Sequence, residues 1–262
     1  MEHPLHLLYD RKHTACTGKC KKETVERYNQ AGFSVFSIDY RLAPESRLPE
    51  IVEDVRDALA WLKQEGQSRF DLDVSRIAVA GSSAGGYLGL MTGTFADKPT
   101  AIVSFYGYGD IVGDWYGRPD PFYCRMPLVT RDEAYSIVGN RVISTAGLGR
   151  FSFYQYCRQQ GVWAKEVSGI NPRLDKQPLL AYCPLYRVEP DYPPTLLLHG
   201  TKDTDVPYEQ SALMAEELTR KGVPNQLIRL EGMGHLFDRN MSDPVVAQAF
   251  DQVIDFLQTH LR

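Results

Sequence analysis

Gly81-Ser82-Ser83-Ala84-Gly85 places a serine at the centre of a G-x-S-x-G turn. The turn follows directly on the apolar run Arg76-Ile77-Ala78-Val79-Ala80 and opens a stretch with helical patterning, Ala84–Phe95. A serine at a sharp strand-to-helix turn needs small neighbours, because the backbone crowds itself there. Gly81, Gly85 and Gly86 supply them. The first N–H groups of the following helix, beginning with that of Ala84, then point at Ser83 and favour a developing oxyanion. A glycine-rich turn that holds phosphate is the competing reading, but no P-loop lysine follows and G-x-G-x-x-G is absent.

A serine nucleophile needs a base within hydrogen-bond reach and a third group that orients the base. Of the six histidines, only His199 and His235 stand just after late strand candidates, where a sheet edge would deliver them beside Ser83. His235, in Gly232-Met233-Gly234-His235, is read as the base, and His199 as a structural residue bracing the next loop. In this order of elements the acid lies between serine and histidine. Thr201-Lys202-Asp203-Thr204-Asp205 offers two carboxylates. Asp203, nearer the strand end, is the expected acid. Asp205 is the competitor, expected to close the turn or cap the helix before Glu209.

The elements that must position these residues are visible as alternation. Short β-rich runs at Leu5–Tyr9, Ser34–Asp39, Arg76–Ala80, Ala101–Phe105, Thr195–His199 and Gln226–Leu230 predict strands. Amphipathic stretches at Lys22–Gln30, Ile51–Gln64, Ala84–Phe95, Glu209–Lys221 and Val245–Leu261 predict helices. The pattern implies an α/β fold with a mostly parallel sheet covered by helices on both faces. The alternation stops between Tyr106 and Tyr186, where 14 of the 29 aromatic residues gather. That density predicts an inserted cap over the sheet edge, spanning about residues 107–186, rather than a structureless loop. Tyr106, Tyr108 and Trp115, with Tyr116 beside them, are expected in the wall of a substrate pocket.

Composition limits the alternatives. The 262 residues suit a single domain over 1–262, and a net charge of −4 gives no basic footprint for nucleic acid. No apolar run reaches the length of a membrane span. The start of the chain, with an early acid and a short apolar stretch, is unlike a secretory signal. Five scattered cysteines fit a reducing, cytoplasmic setting better than a disulfide framework. Cys16 and Cys20 have no second pair at zinc-site spacing, so no metal is expected.

The order Ser83…Asp203…His235 and the segment Asp39-Tyr40-Arg41-Leu42-Ala43-Pro44-Glu45 resemble the hormone-sensitive-lipase-like branch of the α/β-hydrolase superfamily. Pro194-Thr195-Leu196, His199-Gly200-Thr201-Lys202-Asp203 and Gly232-Met233-Gly234-His235 are similar to that branch's acid and histidine blocks. The second half is also similar to prolyl-oligopeptidase-like and carbohydrate acetyl-esterase relatives. The resemblance implies a three-layer α/β-hydrolase fold and cleavage of small carboxylic esters through an acyl-enzyme. No cofactor is implied, and the partner implied is a small-molecule ester. Within that resemblance Arg41 and Glu45 are expected to pair with each other inside a turn that buttresses the elbow.

One departure marks the amino-terminal part. The resemblance aligns Leu5–Tyr9 with a strand whose following glycine-rich loop completes the oxyanion hole, and here Asp10-Arg11-Lys12-His13-Thr14-Ala15-Cys16-Thr17-Gly18 follows instead. The two strands that usually begin that family's sheet have no counterpart. Three readings stay open: an esterase with a remodelled oxyanion loop, an altered or truncated amino terminus, and a hydrolase-fold protein that binds rather than cleaves. A peptidase or amidase on the same fold is a further alternative.

Overall fold

The computed structural model describes residues 5–10, 14–16, 22–145 and 149–261. Its strands are β1 (Leu5–Asp10), β2 (Thr14–Cys16), β3 (Phe33–Ile38), β4 (Ile77–Ser82), β5 (Ala101–Phe105), β6 (Thr195–Gly200) and β7 (Asn225–Leu230). The main helices are α1 (Lys22–Gln30), α2 (Leu48–Phe70) and α3 (Ala84–Thr92), then α8 (Glu209–Arg220) and α9 (Pro244–Leu261). Between β5 and β6 lie α4 (Asp114–Gly117), α5 (Arg131–Tyr135), α6 (Arg150–Gln160) and α7 (Trp163–Ser168).

The strands pair in the order β2-β3-β1-β4-β5-β6-β7. Alternate side chains of the central strands enter opposite layers, as a pleated strand requires. Ile77 and Val79 of β4 pack with α2 and α3, whereas Ala78 and Ala80 pack toward α1 and α9. The same switch occurs in β6, where Leu197 meets α8 while Leu196 and Leu198 face α9. These positions are 1% exposed or less, and a fully buried aliphatic side chain stabilises by about 1.5–3 kcal/mol. The period of α2 delivers Ile51, Val52, Val55, Leu59 and Leu62 to one apolar face. The chain therefore has the three-layer α/β architecture expected. No helix among the described residues is long and apolar enough to cross a membrane.

The expected strands and helices form within a few residues of their predicted bounds; α2 extends to Phe70. The first strand differs in direction. β1 runs antiparallel to both neighbours, with Leu5 opposite Ile38 and Gly81, Tyr9 opposite Ile77, and Asp10 opposite Phe33. It therefore ends at the sheet edge away from Ser83. Thr14–Cys16, expected within that loop, forms β2, parallel to β3. Arg11–His13, Thr17 and Gly18 of the same expectation lie outside the described residues.

The remaining pairs are parallel, so the carboxyl ends of β3 to β7 open at one edge. This is where α/β sheets gather ligands and chemistry.

Candidate active site

Ser83 sits between β4 and α3 at φ 53°, ψ −116°, a conformation that L-residues rarely adopt. Its N–H donates to Phe105 O at 2.9 Å, and its carbonyl accepts from Tyr87 N–H at 2.9 Å. Both bonds hold the turn in place. The helix behind must also approach β5 closely. A Cβ on Gly86 would stand 2.9 Å from Ser104 Oγ and 3.0 Å from Gly107 Cα. Among the described residues the Ala84 N–H has no acceptor, and it opens α3 next to the nucleophile.

Asp203 and His235 arrive on the loops after β6 and β7. The loops are stitched together by Lys202 N–H to Met233 O at 2.9 Å and Gly232 N–H to Thr201 Oγ1 at 2.9 Å. Close approach demands glycine at 200, where a Cβ would lie 2.3 Å from Met233 O. His235 Nδ1 donates to Asp203 Oδ2 at 2.6 Å, and Ser83 Oγ lies 3.1 Å from Nε2. The ring is thus in the tautomer that can take the serine proton. Asp203 Oδ1 accepts the N–H groups of Asp205 at 2.8 Å and Val206 at 2.9 Å. Burial works to raise the Asp203 carboxyl, but hydrogen bonds from His199 and His235, the His235 charge and the Val206 N–H outweigh it. They hold the acid well below the usual carboxylate range.

The other candidates separate around this chain of bonds. His199 is fully buried and braces the acid loop, with Nε2 donating to Val206 O at 3.0 Å and Nδ1 accepting from Ser211 Oγ at 2.7 Å. Asp205 neither closes the turn nor caps α8. Asp203 takes the turn N–H groups, and the Asp205 carboxylate is buried among Tyr123, Tyr154 and Arg158 of the β5–β6 segment.

Of the three expected pocket residues, Tyr108 lines the space beside Ser83 and Ala84. Tyr106 does not. It is 1% exposed, its ring lies 4.6 Å from that of His235, and its hydroxyl donates to Asp238. Backing the histidine excludes it from the wall. Trp115 is also displaced, because its Nε1 donates to Asp110 O at 3.1 Å and its ring stacks on Tyr116 at 4.4 Å. It supports Tyr116, which does line the pocket.

Tyr154 and Trp163, from α6 and α7, complete the wall near Ser83. From there a cleft extends between α3, the segment Tyr40–Ala43 and α7, lined mostly by apolar and aromatic side chains. The aromatic density between β5 and β6 was the only sequence signal for Tyr154 and Trp163. Nothing in the sequence pointed to Arg158.

Arg41 and Glu45 do not pair with each other. Arg41 Nε donates to Asp54 at 2.9 Å and Nη2 to Glu50 O at 2.9 Å, which fastens the segment to α2. The Glu45 side chain is 1% exposed and takes Arg150 Nη1 at 2.9 Å and Gly139 N–H at 2.8 Å. Partners on α2 for Arg41 and in the β5–β6 segment for Glu45 separate the expected pair.

Residues 11–218 match the model of the BD-FAE family. The chain is 30% identical over 230 residues, 82% of its length, to esterase LipC of Mycobacterium tuberculosis. It spans 47% of that curated relative and a smaller share of others. Among solved structures, a protein of unknown function from Staphylococcus aureus subsp. aureus Mu50 superposes with a TM-score of 0.76 at 21% identity, covering 98% of this chain and 95% of that one. An α/β-hydrolase superfamily protein from Enterococcus faecalis superposes with a TM-score of 0.70 at 22% identity, covering 92% and 84%. The fold is that of the α/β hydrolases.

Proposed function

The chain belongs to the BD-FAE family and has the α/β-hydrolase fold, and on that premise we propose that it hydrolyses small carboxylic esters with Ser83 as nucleophile, His235 as base and Asp203 as acid. The observation that carries the reading is the continuous bonding from Ser83 Oγ to His235 Nε2 at 3.1 Å and from His235 Nδ1 to Asp203 at 2.6 Å. It is supported by the name of LipC, an esterase. Ser83 attacks the acyl carbonyl as His235 takes its proton. The imidazolium, held by Asp203, returns the proton to the leaving alkoxide, and water deacylates the enzyme through the same ring. The Ala84 N–H receives the oxyanion. Residues 107–186 act as the cap, contributing Tyr108, Tyr116, Tyr154 and Trp163 to the pocket beside Ser83.

Cys124, Cys157 and Cys183 are free thiols, which fits a reducing compartment such as the cytoplasm.

Steady-state hydrolysis of p-nitrophenyl acetate tests the proposal. Ser83→Ala should lower kcat by at least about 10³-fold, and unchanged turnover in the purified variant would refute the assignment. Turnover of an aminoacyl-proline amide in preference to the ester would move the activity to the peptidases.

A further inference from the structure

His235 has a carboxylate on each of its ring nitrogens. Nδ1 meets Asp203, and Nε2, the nitrogen that faces Ser83 Oγ, also lies 3.4 Å from Asp205 Oδ2. The second carboxylate is held by three donors on its other oxygen: Tyr154 OH at 2.6 Å, Arg158 Nη1 at 2.9 Å and Tyr123 OH at 3.0 Å. Burial first, and the Asp205 charge second, keep both phenols protonated and donating. Arg158, 1% exposed, is seated in turn by Asp120 at 2.6 Å and by the Asp205 carbonyl at 3.0 Å. Three donors on Oδ1 fix the carboxylate and leave Oδ2 turned toward the imidazole.

The turn gains nothing from this arrangement, since Asp203 already accepts its N–H groups. The cost is a buried ion pair with little intrinsic benefit to stability. Tyr106 lies on the face of the ring with its hydroxyl donating to Asp238, and beyond Nδ1 the Asp203 carboxylate also faces His199 Nε2 at 3.4 Å.

We infer, resting on the roles proposed above for Ser83, His235 and Asp203, that Asp205 is a positioning residue that acts through His235. Held by Arg158 of α6, it fixes the Nε2 side of the imidazole and favours the protonated ring that forms when Ser83 attacks. The Ser83 proton moves to Nε2 as the Oγ–acyl bond forms. Nε2–H then lies between the leaving oxygen and Asp205 Oδ2, and the proton passes to the leaving oxygen as the ester C–O bond breaks. Asp205 stays ionised throughout. Through the same contacts α6 of the segment between β5 and β6 is tied to the base.

The test follows the His235 ring signals by NMR against pH, assigned by their loss in His235→Asn, in wild type, Asp205→Asn and Tyr154→Phe. Removing the negative charge disfavours the imidazolium, so in Asp205→Asn the ring should titrate at lower pH than in wild type. Tyr154→Phe removes one donor that tempers Asp205, so there the ring should titrate at higher pH. On p-nitrophenyl acetate Asp205→Asn should lose about ten- to a hundredfold in kcat with KM within about twofold. A titration unmoved in folded variants would overturn the inference and leave Asp205 as a tie between segments. If Asp205→Asn does not fold, Tyr154→Phe decides alone by the same signal. Because the ring signal needs no turnover, a signal that moves as stated in the two variants of a protein that cleaves no ester would count against the proposed function and not against Asp205.

Discussion

Ser83 carries a side chain at φ 53°, a backbone state that costs about 1–3 kcal/mol and persists only where the surroundings enforce it. Ser83→Gly should therefore raise the unfolding free energy by about 1 kcal/mol while removing hydrolysis, a trade measurable by urea denaturation alongside the ester assay. Asp203 gives a prediction in pH. Its carboxyl is depressed in the folded state, so its contribution to stability is complete above the ordinary carboxylate range. That contribution is lost as pH falls from about 4 toward the folded-state value. Thermal unfolding between pH 3 and 6 should show wild type losing stability on acidification more steeply than Asp203→Asn, and parallel profiles would contradict this.

At the scale of elements, the ties between the β5–β6 segment and the sheet layers are ionic and buried. The Glu45 side chain is 1% and the Arg150 side chain 10% exposed, and removing one partner of such a pair typically costs about 3–5 kcal/mol. Arg150→Ala should destabilise by that order in urea, with Glu45→Gln milder because its amide can still accept from Gly139. These ties were invisible in the sequence, where Glu45 and Arg150 are far apart and Arg158 sits among polar residues of α6. The elbow was legible for the opposite reason: its sterics act locally, so small residues must surround Ser83 in the sequence itself. His235 and Asp203 were legible because each follows a strand whose pattern is plain. The direction of β1 was not, since a short apolar run reads the same from either end and only pairing with β3 and β4 fixes it.

For the molecule as a whole, the parallel strands β3 to β7 bring their following loops to one edge, and the β5–β6 segment sets Tyr108, Tyr116, Tyr154 and Trp163 beside Ser83. On the proposed ester cleavage the acyl group takes the cleft lined by Ala84, Leu88 and Val167, which adjoins the space beside Ser83. Val167→Trp in its wall should leave p-nitrophenyl acetate turnover within about threefold and lower kcat/KM for the hexanoate ester by about tenfold or more, the scale set by a few excluded methylenes. Equal effects on both esters would place the acyl group elsewhere. Whether Ser83 is a nucleophile activated by His235 can be read from intact mass and peptide mapping after treatment with a fluorophosphonate probe. One covalent adduct should form on the peptide carrying Ser83, absent in Ser83→Ala and strongly slowed in His235→Asn. A folded wild type that takes no label, or equal labelling of Ser83→Ala, would contradict that role.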